Sequence, residues 1–152
     1  MTTKESTQKN FLLLASKIKE ANSVAIVGNG GNLAVAKHAA SDLSRYLNKF
    51  CYAPECVHLT ALGGDEGWHD KWISTYGTHA DLIIGITTRL NSPISNSLEK
   101  LDHNKFLIAP KEHSTVPTLT IKGETFHEFE VNTLWEFYML FQECGAELLK
   151  IE

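Results

Sequence analysis

The chain is predicted to fold as a doubly wound α/β domain, a five-stranded parallel sheet with helices on both faces. Five short apolar runs, 24–27, 57–61, 82–87, 106–109 and 118–121, are continuous rather than alternating, as strands covered on both faces must be. Patterns of helical period separate most of them, and strand–helix alternation implies parallel pairing. Three of the turns that follow strands, at 28–32, 62–65 and 87–92, are rich in Gly, Asn, Ser, Thr or Asp. In open α/β sheets, ligands bind outside these C-terminal strand ends, near the topological switch point.

Taken in order, Phe11, Leu12, Leu14, Ala15 and Ile18 mark an opening helix that stops near Ala21 and Asn22. The run 24–27 enters the turn Gly28-Asn29-Gly30-Gly31 and leaves as a helix over 33–50. Tyr52-Ala53-Pro54 then leads into the strand at 57–61, and a helix follows over 66–76. After the strand at 82–87, Ser92 or Ser95 starts the next helix, with Pro93 at an early position, and the helix ends near Leu101. The final helix is predicted over 125–149, just after Gly123. Its apolar residues, including Val131, Leu134, Trp135, Phe137, Tyr138 and Phe141, run almost all round, which suits a central helix or one at a subunit interface.

A length of 152 residues fits one domain, 1–152, in which 1–22 serves packing or oligomerisation. The 43% hydrophobic and 21% charged content is ordinary for a soluble globular protein. A formal charge of −4 argues against direct nucleic-acid binding. No apolar run approaches the ~20 residues of a membrane span, and the polar start lacks a signal-peptide core, so the expected location is the cytoplasm. Cys51, Cys56 and Cys144 show no C-x-x-C spacing and read as reduced, partly buried thiols.

Chemistry concentrates at the turns. Glycines at 28–31 let the backbone approach a ligand, and the helix start beyond them offers N–H groups to an anion. The spacing matches neither common nucleotide fingerprint, so no nucleotide cofactor is expected. The turn after the third strand carries Thr87, Thr88, Asn91 and Ser92, whose polar groups suit a phosphate, and Arg89, which suits a charge-assisted contact. Helix capping by Ser92 or Ser95 explains part of the same turn. His38 and Asp42 are four apart on one helical face, a spacing open to metal ligation, proton transfer or a surface pair. Asp65 follows two glycines at a strand end. His69, His79, His103 and His113 read as solvated.

Taken together, these motifs resemble the SIS (sugar isomerase) domain, specifically its phosphoheptose isomerase group. G-N-G-G-N followed by H-A-A-S-D-L-S-R-Y is similar to the group's G-N-G-G-S, H-x-x-x-E-L and R-Y. G-D-E-G-W-H-D-K-W is similar to N-D-x-x-Y-x-x-x-F, I-T-T-R-L-N-S-P stands for S-T-S-G-N-S, and F-H-E-F-E-V falls at I-Q-E-x-H. The resemblance implies a flavodoxin-like three-layer sandwich and a homo-oligomer, dimer or tetramer, with sites at subunit contacts. It also implies a ketose phosphate such as sedoheptulose 7-phosphate, isomerised through an enediol, and a zinc ion.

Carried over residue by residue, the resemblance puts Gly30, Gly31, Asn32, Asp65, Thr87, Thr88, Arg89, Asn91 and Ser92 at the substrate and phosphate. It puts His38, Asp42 and His127 at the metal, and Asp42, His127 and Glu130 in acid–base work. This chain departs from the group at several of these places. Asp42 replaces a Glu, His127 a Gln, Trp135 a second His and Asn32 a Ser, while Arg89 and Leu90 replace small residues. Indole neither ligates zinc nor exchanges a proton near neutral pH. An altered isomerase is therefore one expectation. The alternatives are a non-catalytic regulator or assembly partner, such as the type that associates with a replication initiator, and one subunit of a heteromeric isomerase. A tryptophan stacking in the sugar pocket suits the non-catalytic reading.

Overall fold

In the computed structural model, which describes residues 4–55 and 67–152, four of the five apolar runs, joined by a fifth strand at 50–52, lie in one parallel sheet. Its strands are β1 (Ser23–Val27), β2 (Phe50–Tyr52), β3 (Leu82–Ile86), β4 (Lys105–Ala109) and β5 (Thr118–Thr120). They stand in the order β2-β1-β3-β4-β5, and every neighbouring pair is parallel. This is the flavodoxin-like order. The helices among the described residues are α1 (Lys4–Glu20), α2 (Gly31–Leu47), α3 (Trp68–Thr75), α4 (Pro93–Lys100) and α5 (Phe126–Glu143).

The continuous apolar runs divide between two cores by the period of two that a strand imposes. Val24, Ile26, Ile84, Ile86, Phe106 and Ile108 meet α1, α2 and α5 on one face. Ala25, Val27, Ile83 and Leu107 meet Trp72, Ile73, Ile94 and Leu98 of α3 and α4 on the other. The sheet is thus the middle of three layers. α1 buries Leu14, Ala15 and Ile18, and Cys144 Sγ lies 3.4 Å from Ala15 O, so this helix packs as part of the domain.

Two helix ends differ from the sequence expectation, and one strand is new. The strand expected at 57–61 lies outside the described residues. β2, Phe50–Tyr52, is a strand that the sequence did not predict, and it pairs Phe50 with Ser23. α2 accordingly stops at Leu47 rather than at 50: Asn48 takes φ +52°, and Lys49 Nζ hydrogen-bonds Ala21 O at 2.6 Å, turning the chain into the sheet. α5 ends at Glu143 rather than at 149. Gly145 has φ +95°, Ala146 N donates to Phe141 O and Gly145 N to Gln142 O, both at 2.9 Å. That pair of bonds closes a glycine-dependent helix stop, which the apolar run beyond it cannot override.

Candidate functional site

β1 and β3 are neighbours in the sheet, but their connections leave in opposite directions, through α2 to β2 and through α4 to β4. A crevice opens where such connections part. One wall is the turn after β1. Gly30 holds φ +58° and ψ −128°, a backbone state that a side chain strongly disfavours, and α2 starts there with no side-chain cap. Its first turn is closed by Asn32 N to Asn29 O and Leu33 N to Gly30 O, each 3.1 Å. Gly31 lies directly under the Glu130 carboxylate of α5, so a Cβ there would collide with it. The positive end of α2 favours that carboxylate.

The other wall is the turn after β3. Thr87, 6% exposed, places Oγ1 3.0 Å from both Arg89 O and Ser92 Oγ, and accepts from Arg89 N at 3.2 Å. Ser92 caps α4 by accepting from Ser95 N at 3.2 Å, and Ser95 Oγ accepts from Ser92 N at 2.9 Å. Pro93 opens the helix. Capping therefore accounts for much of the hydroxyl content of this turn. The same bonds hold the turn in a fixed shape beside the cavity.

Between the walls lies a cavity of about 450 Å³. That is a common size for a small-molecule site. Gly30, Gly31, Asn32, Thr87, Thr88, Arg89, Asn91, Ser92 and Glu130 all line it. Asp65 lies outside the described residues. Among the described residues, charge in the lining comes from Arg89 and Glu130, and His69 and Phe126 join it without having been singled out by the sequence.

His69 corrects the expectation of a solvated ring. It is 5% exposed, its Nε2 has no hydrogen-bond partner among the described residues, and burial pushes its pKa down to about 4. The signal was present in the sequence: Trp72 and Ile73, three and four residues on, are fully buried, so the helical period turns His69 inward. His103 and His113 are also half-buried rather than solvated. His103 Nε2 lies 2.7 Å from Ala80 O, and His113 Nδ1 accepts from Thr115 N and Val116 N at 3.1 Å. His79 is exposed, as expected.

Glu130 apart, the expected metal and acid–base residues lie elsewhere. His38 Nε2 is 3.2 Å from Asp42 Oδ2 and 3.0 Å from Tyr138 Oη, forming a polar seam between α2 and α5. Neither His38 nor Asp42 lines the cavity, and His127 is exposed on the first turn of α5. Trp135 is 61% exposed and stands edge-on to Tyr138, with ring centroids 6.3 Å apart. It lines a separate groove of about 1040 Å³ with Phe11 and Met139, so it does not stack in the cavity of its own chain.

The zinc set does not fit. Among the described residues no three His, Cys, Asp or Glu side chains are grouped to hold a metal ion, so His127 does not complete His38 and Asp42. The one ring nitrogen shared by those contacts is already engaged by both Asp42 and Tyr138.

The chain is thus an α/β domain with a parallel sheet in flavodoxin-like order and a polar cavity at its switch point. No family model matches the chain. It is 31% identical over 101 residues to a phosphoheptose isomerase from Aliarcobacter butzleri, covering 60% of this chain and 53% of that protein. It is 34% identical over 105 residues to phosphoheptose isomerase 1 from Campylobacter jejuni, covering 62% and 55%. The chain thus spans about half the length of the curated relatives it matches. A phosphoheptose isomerase structure from Francisella tularensis superposes with a TM-score of 0.70 at 19% identity, covering 92% of this chain and 88% of that one. In sequence over about 100 residues, and in fold, the chain is similar to phosphoheptose isomerases. No helix among the described residues is long and apolar enough to cross a membrane.

Proposed function

We propose that the domain binds a sugar phosphate in the β1/β3 cavity and interconverts its ketose and aldose forms, with sedoheptulose 7-phosphate as the substrate suggested by its relatives. The observation that carries this reading is the cavity itself. Its lining joins the hydroxyl-rich turn before α4 to the uncapped start of α2, with a carboxylate, Glu130, above Gly31. Thr87, Thr88, Ser92 and Arg89 are assigned to the phosphate, where hydroxyls, backbone N–H groups and a guanidinium suit a dianion. Glu130 is assigned to proton transfer.

In this reaction Glu130 takes the proton from C1 of the ketose while the carbonyl oxygen at C2 gains one, forming an enediol. Return of a proton to C2, with loss of the O1 proton, completes the aldose, so no co-reactant is consumed. Asp42 and His127 are not given steps, because neither lines the cavity.

The non-catalytic reading draws on one observation. Trp135, at the position where the resemblance expects a histidine, is exposed outside the cavity of its own chain. An NMR time course of sedoheptulose 7-phosphate in D2O separates the two. Aldoheptose phosphate carrying deuterium at C2 supports the isomerase. Line broadening without turnover supports a binding protein, and neither effect overturns the proposed ligand.

A further inference from the structure

Among the described residues, two side-chain atoms of the cavity lining are buried without a partner: Asn32 Oδ1 and His69 Nε2, on residues that are each 5% exposed. Leaving such a group unpaired costs about 1–3 kcal/mol, and native proteins retain few of them without a functional reason. The two come from opposite faces of the sheet, Asn32 from the start of α2 and His69 from the start of α3, and they meet the same cavity.

Their chemistry restricts what answers them. A carbonyl oxygen such as Oδ1 only accepts, so a phosphate dianion, which has no proton to donate, leaves it unsatisfied. A hydroxyl donates and accepts, and therefore satisfies Oδ1 and an imidazole nitrogen in either tautomer. The imidazole is neutral across the physiological range, since burial opposes its protonation. It presents a dipole rather than a charge.

His69 is also held in place. The next residue, Asp70, accepts from Ser97 Oγ of α4 at 2.8 Å, and Trp72 and Ile73 anchor α3 in the core below. Trp68 lies over the imidazole, with ring centroids 3.6 Å apart. The ring is fixed on the same framework that carries the turn before α4.

Resting on the sugar-phosphate reading above, we infer that His69 is a ligand-contacting residue whose Nε2 hydrogen-bonds a hydroxyl of the sugar's carbon chain, beside Asn32 Oδ1. The cavity then has a division of labour. The turn before α4 takes the phosphate, and the Asn32–His69 pair reads the hydroxylated chain, selecting a phosphorylated polyol over a bare anion.

The test uses the wild-type protein with ¹⁵N-labelled histidine, titrated separately with sedoheptulose 7-phosphate and inorganic phosphate. His69 is assigned by its missing signal in His69→Phe. The His69 ring nitrogens are expected to shift with the sugar phosphate and to stay in place with inorganic phosphate. His69→Phe is expected to keep its melting temperature, since it removes an unpaired polar atom, while affinity for sedoheptulose 7-phosphate falls about tenfold. A purely structural histidine predicts the reverse, lost stability with affinity intact. If the wild type binds the sugar phosphate and the His69 signals do not move, the inference is overturned and the sugar-phosphate reading stands. If the wild type binds no sugar phosphate, both fall.

Discussion

The cavity between β1 and β3 and the seam between α2 and α5 both gather polar residues, but they differ in how those residues are satisfied. In the seam, His38, Asp42 and Tyr138 pair with one another on a surface where His38 keeps about half of its side chain exposed. In the cavity, Asn32 and His69 are almost fully buried and have side-chain atoms unpaired among the described residues, and Glu130 sits above a glycine that leaves it room. A satisfied, exposed cluster is stable as it stands. A buried, unsatisfied one is completed by a ligand. The contrast favours the cavity as the seat of the proposed chemistry, although the seam holds the residues that most resemble a family motif.

The strongest way to break this comparison is at Glu130. Glu130→Gln keeps the shape of the side chain and removes its basicity, so kcat is expected to fall by about 10²–10⁴-fold with sugar-phosphate binding largely retained. Near-normal turnover in that variant would return the proton transfer to the seam.

The next largest effect concerns His69 and acid. Its folded pKa, about 4, lies below the usual 6.5, so between those values the unfolded chain takes up a proton that the folded chain refuses. The contribution is complete above about pH 6.5 and is lost as pH falls toward 4. Stability therefore declines with acid over that window. His69→Phe should flatten the decline by about 2 kcal/mol between pH 7.5 and 4.5, read from denaturant unfolding at both pH values. An unchanged slope would mean that the ring is accessible to protons in the folded chain.

Gly31→Ala sharpens the comparison further. The new methyl falls on the Glu130 carboxylate and must push it aside, so turnover should drop about tenfold, while alanine in a helical turn leaves stability unchanged or raises it by about 0.5 kcal/mol. Parallel loss of stability and turnover would instead make Gly31 a folding residue. The smallest effects belong to the seam. Tyr138→Phe removes the hydroxyl that meets His38 and is expected to cost under about 1 kcal/mol, with ligand affinity unchanged by calorimetry. Trp135→His is expected to leave turnover within about twofold. A large gain there would show that the position faces a reacting site.

Much of the cavity was legible because its residues sit at the ends of strands. Gly30, Gly31, Asn32, Thr87, Thr88, Arg89, Asn91 and Ser92 were all found from two turn compositions and the rule that α/β sheets bind ligands there. His69 was missed because its neighbours in sequence, Trp68 and Asp70, mix polar and apolar character. Its burial shows only when Trp72 and Ile73 are placed on the same helical face.

The sequence alone determined the strand–helix alternation, the parallel sheet and the two turns, because continuous apolar runs and glycine or hydroxyl clusters are local signals. Which polar residues meet was decided by the tertiary structure. The spacing of His38 and Asp42 placed them on one face, but that spacing carries no information about Tyr138, 100 residues on, which closes the seam. Likewise Gly31 and Glu130 are 99 positions apart, and only the packing of α2 against α5 sets that carboxylate over that glycine. Period and composition act over a few residues, whereas a site is assembled by core packing that brings distant segments to one strand end.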